Sequence, residues 1–396
     1  MFIRYHRDKN GKLVQQAVVY TEKEHGIARD AIDADAIKVI ERLKEAGFKA
    51  FIVGGAVRDL LRGKNPKDFD LVTDAIPARI KKIFRNSRII GRRFRLVHIY
   101  FGDKIFEVST FRSIVNGSVG NEFGTIDEDV LRRDFTINAL YFDPIENIIV
   151  DYVGGFEDVR EGILKPIIPL GDIFAEDPVR MVRGIKYAIA ANCVIPPNVQ
   201  KQIRKDSQML AGVSASRMTE EFFKILASGK SAEIIQSLCN FRLFEYFVPH
   251  IWARMEASPE YREALLADLA ALDAQNVSLA RTLLQDESAE ALNQEKKSVS
   301  VLLSYLLKRY VSEKLASLKS DGTGELPPSE VFRASLLDAR AFVMPMNPPR
   351  VELEAAMMMI FKNLGISPLR KPERKRRSWK PVSKQGERLL ADKEQR

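Results

Sequence analysis

The spacing of apolar residues changes once along this chain, and that change limits the folds open to it. From about residue 36 to 165, short apolar runs such as Phe51 to Val53, Phe69 to Val72 and Ile105 to Phe111 alternate with helical patterns and with turns marked by Gly or Asp. Beyond Glu176 the strand signals stop. Apolar residues then recur at helical intervals: Val179, Val182, Ile185 and Ile189, followed by Met218 to Leu226 and Ile234 to Leu243. The expected class is α+β, a small mixed sheet with helices followed by an all-helical half. A helix starting near Asp33 or Asp35 should carry Ile37, Ile40 and Leu43 on one face, stop at Gly47 and feed the first strand. Two polar stretches, Gln285 to Ser298 and Ser320 to Ser329, read as loops between helices.

Composition narrows the class of protein. With 396 residues and 45% hydrophobic content the chain can bury a substantial core, and 62 Lys and Arg against 53 Asp and Glu give a formal charge of +9. Such a balance favours polyanionic partners, with nucleic acid foremost. Two cysteines, Cys193 and Cys239, cannot form a disulfide framework, and four histidines spell out no thiolate or imidazole metal site. No apolar run approaches the length needed to span a bilayer, so a cytoplasmic protein without a membrane partner is expected. The end of the chain is strongly basic. Between residues 370 and 388, nine cations face only Glu373 and Glu387, a block that repels itself and should be disordered alone. Arg374, Lys375, Arg376 and Arg377 form its densest part and are the candidate RNA contacts.

Chemistry concentrates in a few short segments. In Asp68-Phe69-Asp70-Leu71 the period of a strand puts both carboxylates on one face. Two adjacent anions repel and call for a cation, and hard oxygen ligands select Mg²⁺. An isolated D-x-D is more often an Asp-rich turn, but here context weighs against that. Upstream, the run Phe51-Ile52-Val53 enters Gly54-Gly55-Ala56-Val57-Arg58, where backbone free of side chains can approach a triphosphate. Glu107, within Ile105 to Ser109, is either a third metal-facing carboxylate or a strand-face residue paired with an Arg. Arg132-Arg133-Asp134-Phe135-Thr136-Ile137-Asn138 suits phosphates and ribose hydroxyls, and taken alone could equally be a solvated charge cluster. In Glu176-Asp177-Pro178-Val179-Arg180 the polar residues fall together on one helical face; an ordinary salt bridge explains that too. Asp177 and Arg180 side by side can imitate a base edge, one accepting from an exocyclic amine and the other donating to a ring nitrogen.

Together these segments resemble the nucleotidyltransferases of the DNA polymerase beta superfamily, in the class II branch shared by bacterial poly(A) polymerases and CCA-adding tRNA nucleotidyltransferases. The segments are Phe51-Ile-Val-Gly-Gly-Ala-Val-Arg-Asp59, Asp68-Phe-Asp70, Arg132-Arg-Asp-Phe-Thr-Ile-Asn-Ala139, Asp151-Tyr-Val-Gly-Gly155 and Glu176-Asp-Pro-Val-Arg180, in that branch's order. The resemblance implies a polymerase-beta-like head over 36–165, preceded by an N-terminal arm over 1–35. It also implies a helical neck with the base-recognition helix over 166–250, a helical RNA-binding body over 251–366 and a basic tail over 367–396. By it, Asp68 and Asp70 hold two Mg²⁺ ions as catalytic residues, with Glu107, from its own strand, the third catalytic candidate. Gly54, Gly55 and Arg58 serve the triphosphate, Arg133, Asp134 and Asn138 the sugar and phosphates, and Asp177 with Arg180 the base.

Within the branch, Ile89-Ile-Gly-Arg-Arg-Phe-Arg-Leu-Val-His98-Ile99 and Glu24-His-Gly-Ile-Ala-Arg29 are similar to stretches of the poly(A) polymerases. The expected activity is template-independent transfer of AMP from ATP to RNA 3′ ends in the bacterial cytoplasm, with RNA-decay proteins as possible partners. The alternatives are CCA addition to tRNA and a catalytically dead RNA-binding homologue. One departure stands out. Where the family helix continues Arg-Ala-x-Arg-Phe-Ala, this chain has Arg183-Gly-Ile-Lys-Tyr-Ala188, and a glycine inside a helix costs about 1 kcal/mol relative to alanine.

Overall fold

A computed structural model of the chain describes residues 1–7, 13–91, 96–114, 122–283, 299–320 and 328–366. The expected first helix forms over Ala34–Glu45, with the Asp33 carboxylate accepting from the Asp35 backbone amide at 2.8 Å. It buries Ile37, Ile40 and Leu43, and the chain leaves it through Gly47 at φ +86°, a conformation that favours glycine.

Nine strands make one mixed sheet: β1 (Phe2–Arg7), β2 (Leu13–Thr21), β3 (Ala50–Val53), β4 (Asp70–Thr73), β5 (Ser87–Ile90), β6 (Leu96–Phe101), β7 (Lys104–Thr110), β8 (Leu140–Asp143) and β9 (Ile148–Asp151). Their order is β1-β2-β9-β8-β3-β4-β7-β6-β5, and only β4 and β7 run parallel. Two expectations change here. The strand after the Ala34–Glu45 helix is the third in sequence rather than the first, because residues read as an N-terminal arm supply β1 and β2 and extend the sheet through Val18–Thr21 against β9. Mixed charges in this segment hid its alternation. Asp68 and Phe69 precede β4, which begins at Asp70, so strand alternation does not fix the direction of Asp68.

The register positions the site. Val53 pairs with Asp70, and Leu71 with Val108, so Gly54 and Glu107 both neighbour Asp70. On one face of the sheet Ile52, Leu71 and Val108 pack into the large core shared with the helices. On the other, Phe51, Val53, Val72, Phe111 and Tyr141 form a smaller core, and Asp70 lies on that face at its rim.

After β9 the described chain forms helices only, including Val179–Ala191, Ala215–Leu226 and Ser231–Asn240, as the periodicity predicts. Of the two expected loops, 285–298 lies outside the described residues. In the second, only 321–327 lies outside them, since helices run up to Ser320 and begin again at Pro328. The basic segment with Arg374, Lys375, Arg376 and Arg377 also lies outside the described residues. No described helix is long and apolar enough to cross a membrane.

Candidate active site

β3 gives way to Gly54, whose φ of +72° and ψ of −133° are strained for any residue carrying a Cβ. A Cβ there would stand 4.0 Å from Asp70 Oδ2, so the glycine keeps the backbone beside the carboxylate open. Asp70 retains solvent contact at the mouth of a cleft, yet its carboxyl is pushed up to about 6. Burial by the cleft walls is the chief cause, followed by the Glu107 and Asp68 carboxylates. The two neighbouring carboxylates thus both oppose ionisation of Asp70. Glu107 lies 3.2 Å from His98 Nε2 through Oε1, so its strand-face partner is a histidine rather than an arginine. Among the described residues no three Asp, Glu, His or Cys side chains gather closely enough to hold a metal unaided.

Behind the carboxylates opens a cavity of about 450 Å³ lined by seven arginines and by Asp70, Asp134 and Asp177. Gly54, Gly55, Arg58, Arg133, Asn138 and Arg180 all line it, so every residue expected to hold the nucleotide reaches one space. Arg58 is buried and donates to Asn138 Oδ1 at 2.8 Å and to Asp59 Oδ1 at 2.9 and 3.0 Å. That use of Asn138 Oδ1 leaves its amide group to donate elsewhere.

Asp129, which the sequence reading did not single out, organises the arginines. It is fully buried; Oδ1 accepts from Arg132 at 2.6 and 2.9 Å, and Oδ2 from Arg133 at 2.9 and 3.2 Å and from the Tyr141 hydroxyl at 2.8 Å. Burial alone would raise its pKa, but Arg133 and Arg132 outweigh burial and hold it well below the usual carboxylate range. The spacing Asp129-x-x-Arg132-Arg133 was a legible i,i+3 and i,i+4 signal. Arg112, also unforeseen, has its guanidinium pushed down to about 10, first by burial and then by Arg132 despite Asp129. With seven arginines against three aspartates the cavity lining is net positive, which suits a polyanion.

Asp177 and Arg180 are both buried and both anchored. Asp177 Oδ1 accepts from the Val179 amide at 3.2 Å, and Oδ2 pairs with Arg217 of the Ala215–Leu226 helix. Arg180 donates to Glu176 at 3.1 Å, to the Ile173 carbonyl at 3.2 Å and to the Arg132 carbonyl at 3.4 Å. Glu176 closes the short helix Ile173–Glu176 and Asp177 is extended before Val179–Ala191 begins, so the i,i+4 salt bridge forms across a break rather than along one helical face, and the guanidinium still lines the cavity. Asp134 accepts from the Phe135 amide at 2.9 Å and forms an ion contact, unaligned for a hydrogen bond, with Arg183 at 2.8 Å. Arg217 lies 40 residues from Asp177, and no local pattern links them.

The departure at Gly184 has a packing cause. A Cβ there would lie 2.8 Å from Phe135 Cζ, and Phe135 is fully buried with its ring edge-on to Tyr187. Glycine makes room for that ring. Tyr187 in turn lies under the Arg58 and Arg183 guanidinium groups, 5.7 and 5.5 Å from its centroid. Lys186, the second departure, is paired with Glu221 on the Ala215–Leu226 helix.

Residues 50–165 match the family described as "Poly A polymerase head domain", and 194–255 that described as "Probable RNA and SrmB- binding site of polymerase A". These two matches cover part of the chain, the sheet and the helices that follow it. Poly(A) polymerase I of Escherichia coli is 40% identical over 252 residues, covering 60% of this chain and 54% of its own. The CCA-adding enzyme of Bacillus subtilis is 32% identical over 216 residues, covering 53% of this chain and 54% of its own. The chain thus spans about half the length of the curated relatives it matches. In fold it is similar to the Bacillus stearothermophilus CCA-adding enzyme in complex with CTP, with TM-score 0.52 and 24% identity over 84% of this chain and 83% of that one.

Proposed function

We propose that this protein transfers AMP from ATP to the 3′-hydroxyl of RNA without a template, releasing pyrophosphate. The observation that carries the reading is the placing of Asp70, with the Asp68 and Glu107 carboxylates near it, at the mouth of a cavity lined by seven arginines and three aspartates. The carboxylates call for a divalent cation and the arginines for a triphosphate.

Asp68 and Asp70 would hold Mg²⁺, two ions by analogy with the family, with water and phosphate oxygens completing the coordination because too few protein ligands converge to do so. Bound there, Mg²⁺ supplies charge neutralisation and acidifies the attacking hydroxyl. The chain's own residues bind and orient. The Gly54-Gly55 turn lets backbone amides approach the triphosphate, Arg112 and Arg133 face its charge, and Asn138 donates to the sugar. Asp177 accepts from the exocyclic amine of the base while Arg180 donates to the ring nitrogen.

Preference for ATP over CTP requires that this last pair hold one geometry, since cytosine offers a similar donor and acceptor. The partners of Asp177 and Arg180 favour a fixed geometry. Those partners include Arg217 and the Val179 amide for Asp177, and Glu176 with two backbone carbonyls for Arg180.

The test supplies ATP or CTP separately with Mg²⁺, using an oligoadenylate and a tRNA lacking its CCA end as primers. Repeated A addition with CTP a poor substrate on both primers is expected, and Asp68→Ala or Asp70→Ala should reduce it by more than about 100-fold. C-C-A addition that stops on the tRNA would select the CCA-adding alternative. No addition by the wild-type chain would favour the RNA-binding homologue.

A further inference from the structure

Away from the cleft, the helices Pro328–Phe342 and Arg350–Asn363 enclose a second cavity of about 230 Å³. Its floor is aliphatic, built by Leu336, Leu337 and Leu353, and Leu337 is 63% exposed. Its rim is cationic, carrying Arg333, Arg340 and Arg350. Arg350 is paired with Glu354 at 2.8 Å, whereas among the described residues no carboxylate pairs with Arg333 or Arg340. Arg333, Leu337 and Arg340 stand at i, i+4 and i+7 of one helix. A single solvent-facing stripe therefore reads cation, aliphatic, cation.

We propose that this face docks an acidic amphipathic helix of a protein partner, seating an aliphatic side chain in the slot and two carboxylates on Arg333 and Arg340. Charge complementarity selects an acidic partner, because among the described residues neither guanidinium has a carboxylate partner. The floor selects a protein. Single-stranded nucleic acid binds on aromatic platforms, and this slot is lined by leucines and a proline with no aromatic ring. Spacing selects a helix: seven residues place the two arginines about 10.5 Å apart along their axis, the rise between residues i and i+7 of a helix packed alongside. Such a partner would carry acids at i and i+7 and leucines at i+3 and i+4. Exposed Val351, at 76%, adds apolar surface on the second helix. None of this depends on the activity proposed above.

The experiment uses the full chain and a fluorescein-labelled helical peptide with Glu at i and i+7 and Leu at i+3 and i+4, read by fluorescence anisotropy. Saturable binding is expected. It should weaken at least about tenfold with Arg333→Glu combined with Arg340→Glu, or when the peptide leucines become alanine. A peptide with Lys in place of both Glu should recover affinity for the charge-reversed protein, a result a misfolded variant could not give. The proposal is overturned by absence of saturable binding below about 1 mM, or by binding indifferent to the double reversal. It is equally overturned if the peptide fails while oligoadenylate binds and loses affinity on the same reversal, which would mark an RNA surface.

Discussion

Asp129→Asn is the substitution for which the structure gives the sharpest expectation. The change keeps the shape of the side chain and removes one charge from a site where a single carboxylate satisfies two arginines, a tyrosine hydroxyl and, at 3.2 Å, the Arg112 amide. One oxygen becomes an NH2 group, so whichever way the amide turns, donors face an arginine. Removing one partner of a buried ion pair costs roughly 3–5 kcal/mol. Arg132 and Arg133 keep slight access to the cavity, each with a side chain 16% exposed, which puts the expected loss near the lower end. A loss of about 3 kcal/mol should lower the thermal midpoint of the head by roughly 6–12 °C.

The pH dependence has a definite sign. Asp129 is held below its unfolded value, so its contribution is fully present above the unfolded pKa and fades only as pH falls through the depressed folded one. The difference between wild type and variant should therefore stay constant from pH 8 to pH 5.5 in calorimetry or urea titration. A variant within about 0.5 kcal/mol of wild type, or a difference that disappears between pH 8 and pH 6, would refute the anchoring argument.

Gly184→Ala gains about 1 kcal/mol of helix propensity but forces a Cβ against the buried Phe135 ring, an overpacking cost of roughly 1–3 kcal/mol, so a net loss of stability is expected in urea, reversed by adding Phe135→Leu. A plain stabilisation by Gly184→Ala would show that the ring yields freely. The Asp70 carboxyl is raised, so its ionisation works against the fold: stability is highest below its unfolded pKa and declines as pH rises through about 6. Asp70→Asn should then stabilise the metal-free protein at pH 8 by about 1 kcal/mol, after discounting for its solvent access, and not at pH 4; equal effects at both pH values would count against it. Truncation after Pro368 should flatten the slope of log RNA affinity against log salt without altering ATP affinity, because Lys and Arg contacts to phosphate release counterions. An unchanged slope would exclude the tail as an RNA arm.

The sequence by itself determined what neighbouring residues decide among themselves. The Ala34–Glu45 helix between Asp33 and Gly47, the β3 run into a glycine turn, and the helical half after Glu176 all follow from caps, periods and turn residues acting over a few positions. The chemistry-bearing segments were legible for the same reason, since each is a short run of unusual residues. Tertiary structure alone decided which of them meet and what each side chain spends its hydrogen bonds on. Glu107 neighbours Asp70 only because β4 and β7 pair in parallel, and Asp177 meets Arg217 only because the fold brings together two residues 40 apart in sequence. The glycine at position 184, costly by local propensity, makes sense only once the Phe135 ring is packed against it. Propensity is a property of the local backbone, whereas close packing and paired burial of charge are settled between segments distant in sequence, where a single chain read alone carries no period to reveal them.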